Sequence, residues 1–288
     1  MPITLSLFAM ITGQRLIVIL AGFLEQTYAD NARAWSLTMI VTAALMLGMT
    51  AVNFFTTPAY ESEGKSARPE GFLQVFRSFF RKPNIGWALA FILTYRLGES
   101  QLVKMASPFL LDSPESGGLD YSTEAVGTIY GSVGVICLSA GGILGGILIS
   151  RHGLRRWMLP MILSLNLPNI LYAGLALTQT KALWAVTATV VAEQFGYGFG
   201  FAAFLIYLIY IAEGTSKTAH YAIATGFMAL GMMLPGMISG YIQQWLGYGG
   251  FFVWVLIAAL PSLFLLRFIR YPDDYGKKSE AETSRSDT

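Results

Sequence analysis

Charged residues are scarce in this sequence. Asp, Glu, Lys and Arg make up 12% of its 288 residues, whereas soluble domains carry about 25%. Hydrophobic residues make up 54%, so a water-soluble protein of this composition would leave large apolar patches exposed. The composition therefore excludes an ordinary soluble enzyme and indicates a protein whose surroundings are lipid.

Residues that build most catalytic and metal sites are scarce as well. A single cysteine, Cys137, excludes internal disulfides and any metal site with several cysteines. The two histidines, His152 and His220, do not lie in a metal-binding spacing. No aspartate lies inside a long apolar stretch, which excludes an intramembrane protease with two aspartates. We expect no enzyme, no cofactor and no metal, and the net charge of +2 does not indicate a nucleic-acid partner.

Long uncharged stretches are what the sequence has instead. The longest runs for 49 residues between Lys217 and Arg267, which is enough for two membrane helices because about 20 apolar residues span the hydrocarbon core. The stretches predict an all-α polytopic membrane protein with about eight transmembrane helices. Their predicted bounds are 6–27, 35–57, 84–111, 123–149, 157–178, 183–212, 220–244 and 251–269.

Lysine and arginine are unevenly distributed over the predicted loops. Fourteen of them fall in the segments 58–83, 150–156, 213–219 and 267–288, and two fall in the segments on the opposite side. The positive-inside rule therefore predicts that the first set and both chain termini lie in the cytoplasm.

The long segment 58–83 divides the chain into parts of unequal size. We expect two helices of an N-terminal half at 1–57, then a cytoplasmic linker at 58–83 with an amphipathic helix in the membrane interface. A six-helix bundle is expected at 84–269. The polar tail at 270–288 is expected to be disordered.

Ionisable residues inside a predicted span are costly in lipid and are candidates for function. Arg96 and Glu99 stand three residues apart, so they share a helix face and can pair, and Lys104 lies five residues beyond Glu99. One interpretation is an ion pair that only joins this helix to a neighbour. The other is a cluster in a solute pathway, in which Arg96 or Lys104 attracts an anion. Glu99 would then alternate between Arg96 and a proton, because burial disfavours a charged carboxylate and a nearby cation favours it.

A second acid, Glu193, lies inside the sixth predicted span. It opens a segment with glycine at every second position from residue 196 to residue 200. Such glycines allow close helix packing or local unwinding beside a cavity. Gln194 and Tyr197 are further candidates for contact with solute or proton, although a stripe of packed aromatic rings explains the tyrosines of this helix equally well.

The loop after the fourth predicted span resembles the cytoplasmic loop motif of the major facilitator superfamily, Gly-x-x-x-Asp-Arg-x-Gly-Arg-Arg. The residues that match are Gly146, Arg151, Gly153, Arg155 and Arg156, and Ser150 replaces the aspartate. The resemblance implies a charged latch between two helices, although the missing acid leaves its ion pair in question. The same residues also fit a simple basic loop.

Several short stretches resemble the AmpG-like branch of this superfamily, namely 13–16, 35–46, 95–99, 193–200, 218–224 and 236–240. The resemblance implies proton-coupled uptake of muropeptides, the sugar-peptides released from the cell wall, across the bacterial inner membrane. It implies that Arg96, Glu99 and Glu193 bind the solute and couple its movement to protons. Wider relatives carry acetyl-CoA or drugs.

The predicted helix count departs from that family, which has twelve helices in two six-helix halves. The first four helices are therefore expected to be missing. Three interpretations stay open. The chain is a fragment of a twelve-helix permease, or an eight-helix carrier that oligomerises or obtains the missing half from another chain, or a membrane scaffold or sensor that does not transport.

Overall fold

The computed structural model describes Leu24, residues 31–56 and residues 71–278. These residues form helices joined by short turns, and no β-strand occurs among them. The prediction of an all-α protein is confirmed. The chain divides into two compact units, Met1–Pro69 and Glu70–Thr288, which are described separately.

The first unit contributes the helix α1, at Asn31–Thr56. Its stretch Ala32–Val52 is long and apolar enough to cross a membrane, and large apolar side chains such as Leu47 and Phe54 are mostly exposed. An apolar helix with exposed apolar side chains is what a lipid environment requires. The predicted span at 35–57 corresponds to α1, and the one at 6–27 lies, apart from Leu24, outside the described residues.

The second unit contains the remaining described helices. They are α2 at Phe72–Phe80, α3 at Ile85–Tyr95, α4 at Leu97–Leu111, α5 at Thr123–Thr128, α6 at Val135–His152, α7 at Leu154–Asn166, α8 at Asn169–Thr178, α9 at Leu183–Ala212 and α10 at Lys217–Leu265. A π-helical turn at Ile129–Gly134 joins α5 to α6. At Gly247 the backbone of α10 leaves the helical region, with φ 66° and ψ 172°, so α10 consists of two helices.

Five helical stretches among the described residues are long and apolar enough to cross a membrane, which confirms the polytopic prediction. The last stretch, Lys217–Leu265, is broken at Gly247 and accounts for the predicted spans 220–244 and 251–269. The span predicted at 84–111 is not among the five. Its helix is interrupted at Arg96, and neither α3, with 11 residues, nor α4, with 15, is long enough alone.

The structure describes residues 71–83 of the predicted linker at 58–83, and the short helix α2 lies among them. Its Phe79 is buried, and the ring lies 5.5 Å from that of His220 at the start of α10. The ring of Phe80 lies 6.0 Å from that of Phe227. One aromatic face of α2 therefore packs onto α10, while Leu73 is 80% exposed.

Glycines bring α9 close to α6 and α7. A Cβ atom at Gly198 would collide with the carbonyl oxygen of Leu138 on α6, and one at Gly196 with the carbonyl oxygen of Ser164 on α7. The helix α9 runs without interruption, so these glycines serve close packing rather than local unwinding.

The fourth predicted span, 123–149, also packs through glycines. Gly141 and Gly145 on α6 face α9 so closely that a side chain would collide with its backbone or side chains. At Gly127 and Gly146 an added Cβ would meet nothing within 4 Å among the described residues. Close packing through glycine therefore involves some of the glycines of this span and not others.

The start of the C-terminal tail is ordered, contrary to the predicted disorder of 270–288. The amide of Leu154 donates to the carbonyl oxygen of Tyr275 at 2.8 Å, and the amide of Lys278 donates to that of Ser150 at 2.8 Å. The Tyr275 hydroxyl donates to the carboxylate of Glu213 at 2.8 Å. Composition missed this order because backbone hydrogen bonds to the 150–154 turn hold the segment.

Candidate functional site

The polar site of the second unit begins where α3 gives way to α4. Arg96 joins them with φ −107° and ψ 17°, which interrupts the helix in the middle of a predicted span. A Cβ at Gly98 would lie 2.7 Å from the carbonyl oxygen of Val255, so α4 packs directly against the second half of α10. This packing keeps Arg96 and Glu99 in the interior, where they are 5% and 2% exposed.

Arg96 and Glu99 form a bidentate ion pair, as their spacing predicts. Nε of Arg96 donates to Oε2 of Glu99 at 2.7 Å, and Nη2 donates to Oε1 at 3.1 Å. Nη2 also donates to the Tyr197 hydroxyl at 3.0 Å. The guanidinium carbon lies 5.0 Å and 5.1 Å from the ring centres of Tyr197 and Phe201 on α9, within reach of cation–π attraction. Two helices therefore hold the Arg96 side chain.

Glu193 has a different set of partners. Its Oε2 accepts a hydrogen bond from the Tyr172 hydroxyl at 3.1 Å, and its Oε1 accepts one from Gln194 at 2.9 Å. Tyr172 also shares a hydrogen bond with the hydroxyl of Tyr130. The Glu193 side chain is 4% exposed, and no Lys, Arg or His of the described residues forms an ion pair with it. Glu193 is therefore a buried acid surrounded by neutral donors.

The two acids are not independent of each other. Glu99 is close enough to interact electrostatically with Glu193, and Tyr197 interacts with both carboxylates. Tyr197 stands four residues after Glu193 on α9, so both project from the same face of that helix. Tyr197, which accepts a hydrogen bond from Arg96, therefore lies on the same helix face as Glu193.

Two asparagines extend the polar site along α7 and α8. Asn166 is 6% exposed and Asn169 is fully buried. Oδ1 of Asn166 and both amide atoms of Asn169 have no hydrogen-bond partner among the described residues. Asn169 and Tyr172 stand three residues apart on α8 and share a helix face, whereas Asn166 ends α7. Tyr172, which donates to Glu193, therefore has a buried asparagine beside it on the same helix face.

Sequence reasoning missed Tyr130 and Tyr172 as partners of Glu193. The signal that could have been used is the pair of asparagines, Asn166 and Asn169, inside a long uncharged stretch, which indicates a polar face where α7 meets α8. Nothing in the sequence indicates which acid that face meets.

Lys104 lies apart from this site. Its side chain is exposed, and its stem passes Gly236, where an added Cβ would be 3.4 Å from Cγ of Lys104. The structure brings Arg96, Glu99, Glu193, Gln194 and Tyr197 together and leaves Lys104 outside, because five residues along a helix turn the side chain away from the face of Glu99.

The loop motif forms a tight turn between α6 and α7. Gly153 has φ 84°, and a Cβ there would lie 2.7 Å from the carbonyl oxygen of Asp273. Arg155 pairs with the carboxylate of Asp273, whereas the Ser150 hydroxyl donates to Ile147 within its own helix. The C-terminal segment therefore supplies an acid to the basic loop, while Arg151 and Arg156 remain exposed.

Comparison with known proteins shows similarity to permeases. No family model matches the chain. The anhydromuropeptide permease of Escherichia coli is 24% identical over 277 residues, which cover 96% of this chain and 55% of that protein. Proteins named AmpG 4 in Rickettsia conorii and AmpG 2 in Rickettsia prowazekii are 24% and 22% identical over 205 and 258 residues. These matches cover 67% and 90% of this chain and 45% and 61% of those proteins.

The chain therefore spans about half the length of the curated relatives it matches. The first relative is named a permease, which points away from an enzyme. The resemblance that short motifs indicated extends over nearly the whole chain and is confirmed. This chain is an integral membrane protein whose homologues are the AmpG-like permeases.

Proposed function

We propose that the second unit carries the solute- and proton-binding residues of a proton-coupled permease that takes up an anionic sugar-peptide, such as a muropeptide, across the bacterial inner membrane. The observation that carries this proposal is the pair of unequal buried acids. Glu99 is neutralised by Arg96, and Glu193 meets only neutral donors among the described residues. The name of the E. coli relative supplies the solute class.

Arg96 is the anion-binding group in this proposal. A guanidinium binds carboxylates through two parallel hydrogen bonds, and Glu99 occupies both positions. A carboxylate on the solute can take the place of Glu99 on the same two nitrogens. Interrupted helices in the middle of the membrane are typical of solute sites in secondary transporters, and the break at Arg96 supplies one.

Glu193 is the proton carrier in this proposal. Keeping a carboxylate ionised in a buried site without a cation is costly, so such a group is suited to hold a proton while the carrier changes conformation. The hydroxyls of Tyr172 and Tyr130 form a short chain from the carboxylate along which a proton can move. Electrostatic interaction between the two acids then links the charge of Glu193 to the state of the Arg96–Glu99 pair.

The neutral part of the solute has candidate partners as well. Both amide atoms of Asn169 and Oδ1 of Asn166 lack a hydrogen-bond partner among the described residues. Asn169 can therefore donate to sugar hydroxyls and peptide groups, and both asparagines can accept from them. Tyr197 presents an aromatic ring beside Arg96, a surface on which a sugar ring can pack. Together these residues supply a cation and neutral polar groups to the proposed solute site.

The test uses proteoliposomes containing the chain, labelled anhydro-muropeptide and an imposed proton gradient. Glu193→Gln should lower gradient-driven uptake at least tenfold, or about 1.4 kcal/mol, and leave exchange of labelled for unlabelled solute intact. Arg96→Gln should lower both. Glu124→Gln, at an exposed acid outside the site, is the matched control and should lower neither.

Two results would contradict the proposal. Gradient-driven uptake by Glu193→Gln equal to that of the unchanged chain would remove Glu193 as the proton carrier. Uptake of acetyl-CoA or a drug in place of muropeptide would contradict the proposed solute, although the chain would still be a carrier. If no solute is taken up, binding of muropeptide to the purified chain decides whether Arg96 acts as an anion site or only as a link between helices.

A further inference from the structure

A cleft beside the 150–156 loop has no part in the transport proposal. Its volume is about 630 Å³, within the range of about 300–1,000 Å³ that is usual for small-molecule sites. Arg155, near the start of α7, and Arg267 and Arg270, just after α10, all contribute to its lining. Asp273 pairs with Arg155, so two of the three arginines carry charge that this carboxylate does not neutralise.

The walls of the cleft change from charged to apolar along both helices. Leu159 stands one turn after Arg155 on α7, lines the cleft and is 47% exposed. Leu266 lines the other wall beside Arg267, together with Ile269. A charged end that continues into exposed apolar helix surface matches an amphiphile better than a small soluble ion.

Tyr271 adds a neutral donor to the cleft. Burial raises the pKa of its hydroxyl to about 12, with Asp273 acting in the same direction and Arg155 in the opposite one, so the group keeps its proton near neutral pH. The ring lies 5.8 Å and 6.3 Å from those of Tyr207 and Tyr210 on α9. These ring contacts hold Tyr271 as a fixed wall of the cleft.

We propose that this cleft binds the phosphate headgroup of an anionic phospholipid. Arg267 and Arg270 contact the phosphate, and the acyl chains lie along Leu159 and Leu266. Arginine suits this ligand because its guanidinium forms paired hydrogen bonds to phosphate oxygens. Basic pockets between membrane helices bind anionic lipid headgroups in this way. The site would anchor the segment after α10 to the start of α7 through a lipid.

The test is retention of phosphatidylglycerol by the purified, delipidated chain, measured by native mass spectrometry against phosphatidylcholine. Arg267→Gln with Arg270→Gln should weaken phosphatidylglycerol binding about 25-fold, since each arginine at an anionic lipid surface contributes about fivefold. Phosphatidylcholine binding should not change. Arg151→Gln with Arg156→Gln is the matched control, because it removes the same charge from exposed positions that do not line the cleft.

The control and a competition experiment decide the outcome. The proposal holds if the control pair retains phosphatidylglycerol and inorganic phosphate does not displace it. Equal loss in both double variants would show general attraction to basic surface and would overturn the site. Displacement by inorganic phosphate at a similar concentration would assign the cleft to a free anion. Should the double variant fail to fold, Arg270→Gln alone is expected to weaken binding about fivefold.

Discussion

The two buried acids of the second unit are nearly equal in burial and opposite in surroundings. Glu99 is 2% exposed and Glu193 is 4% exposed. Glu99 accepts two hydrogen bonds from one guanidinium, whereas Glu193 accepts one from a hydroxyl and one from an amide. Burial alone therefore does not distinguish the two acids, whereas the charge of the partner residue does.

The largest expected loss of stability comes from removing Arg96, the charged partner of Glu99. Arg96→Met leaves Glu99 buried without a cation and should destabilise the chain by about 3–5 kcal/mol. Arg96→Met combined with Glu99→Met removes both charges and should restore most of that loss. Denaturation in detergent measures both, with Arg151→Met as the exposed control. A double variant less stable than the single one would contradict the ion-pair account.

The next effect comes from the packing that places both acids. Gly198→Ala puts a methyl group against the backbone of α6 and displaces α9, which carries Glu193 and Tyr197. A loss of about 1–3 kcal/mol is expected, as for other overpacked sites. Gly174→Ala is the matched control, because an added Cβ there would meet nothing within 4 Å among the described residues. Alanine favours a helix more than glycine does, so the control should lose no stability, and an equal loss in both variants would contradict the contact with α6 as the cause.

A smaller loss of stability is expected from removing either of two tyrosine hydroxyls, and it should be larger for the one that contacts Glu193 than for the one that contacts Arg96. Tyr172→Phe removes a donor from Glu193 and should cost about 1–3 kcal/mol, because a buried acceptor loses its partner. Tyr197→Phe removes one of several partners of Arg96, so about 0.5–1.5 kcal/mol is expected. Parallel denaturation of the two variants is the measurement. A larger loss for Tyr197→Phe would reverse the order that the geometry predicts.

The smallest effect is expected at the exposed ion pair between Arg155 and Asp273. Both side chains are more than half exposed, and such pairs contribute at most about 1 kcal/mol. Asp273→Asn should therefore change the unfolding midpoint only slightly, and less in high salt because salt screens exposed charges. A loss comparable to that of Arg96→Met would show that the C-terminal segment is a main support of the bundle.

The sequence was sufficient for features that depend on local spacing. The span 183–212 agrees with α9 to the residue, because an apolar stretch bounded by charged residues defines both ends. The pairing of Arg96 and Glu99 follows from a separation of three residues on a helix. Glycine at every second position left close helix packing and local unwinding open, and the uninterrupted α9 shows the first.

Features that depend on which helices pack together could not be predicted from the sequence. Glu193 meets Tyr172 because Gly196 lets α9 approach α7 at Ser164, and no local pattern specifies that neighbour. The ordered start of the tail depends on backbone hydrogen bonds to the 150–154 turn, which polar composition cannot reveal.

The most direct test of the contrast between the acids is infrared spectroscopy of protonated carboxyl groups in the purified chain at neutral pH. The account predicts that Glu193→Gln removes a protonated-carboxyl band and that Glu99→Gln leaves that band unchanged, because Glu99 is paired with Arg96 and Glu193 has no cationic partner among the described residues. Loss of the band in Glu99→Gln, with no change in Glu193→Gln, would contradict it.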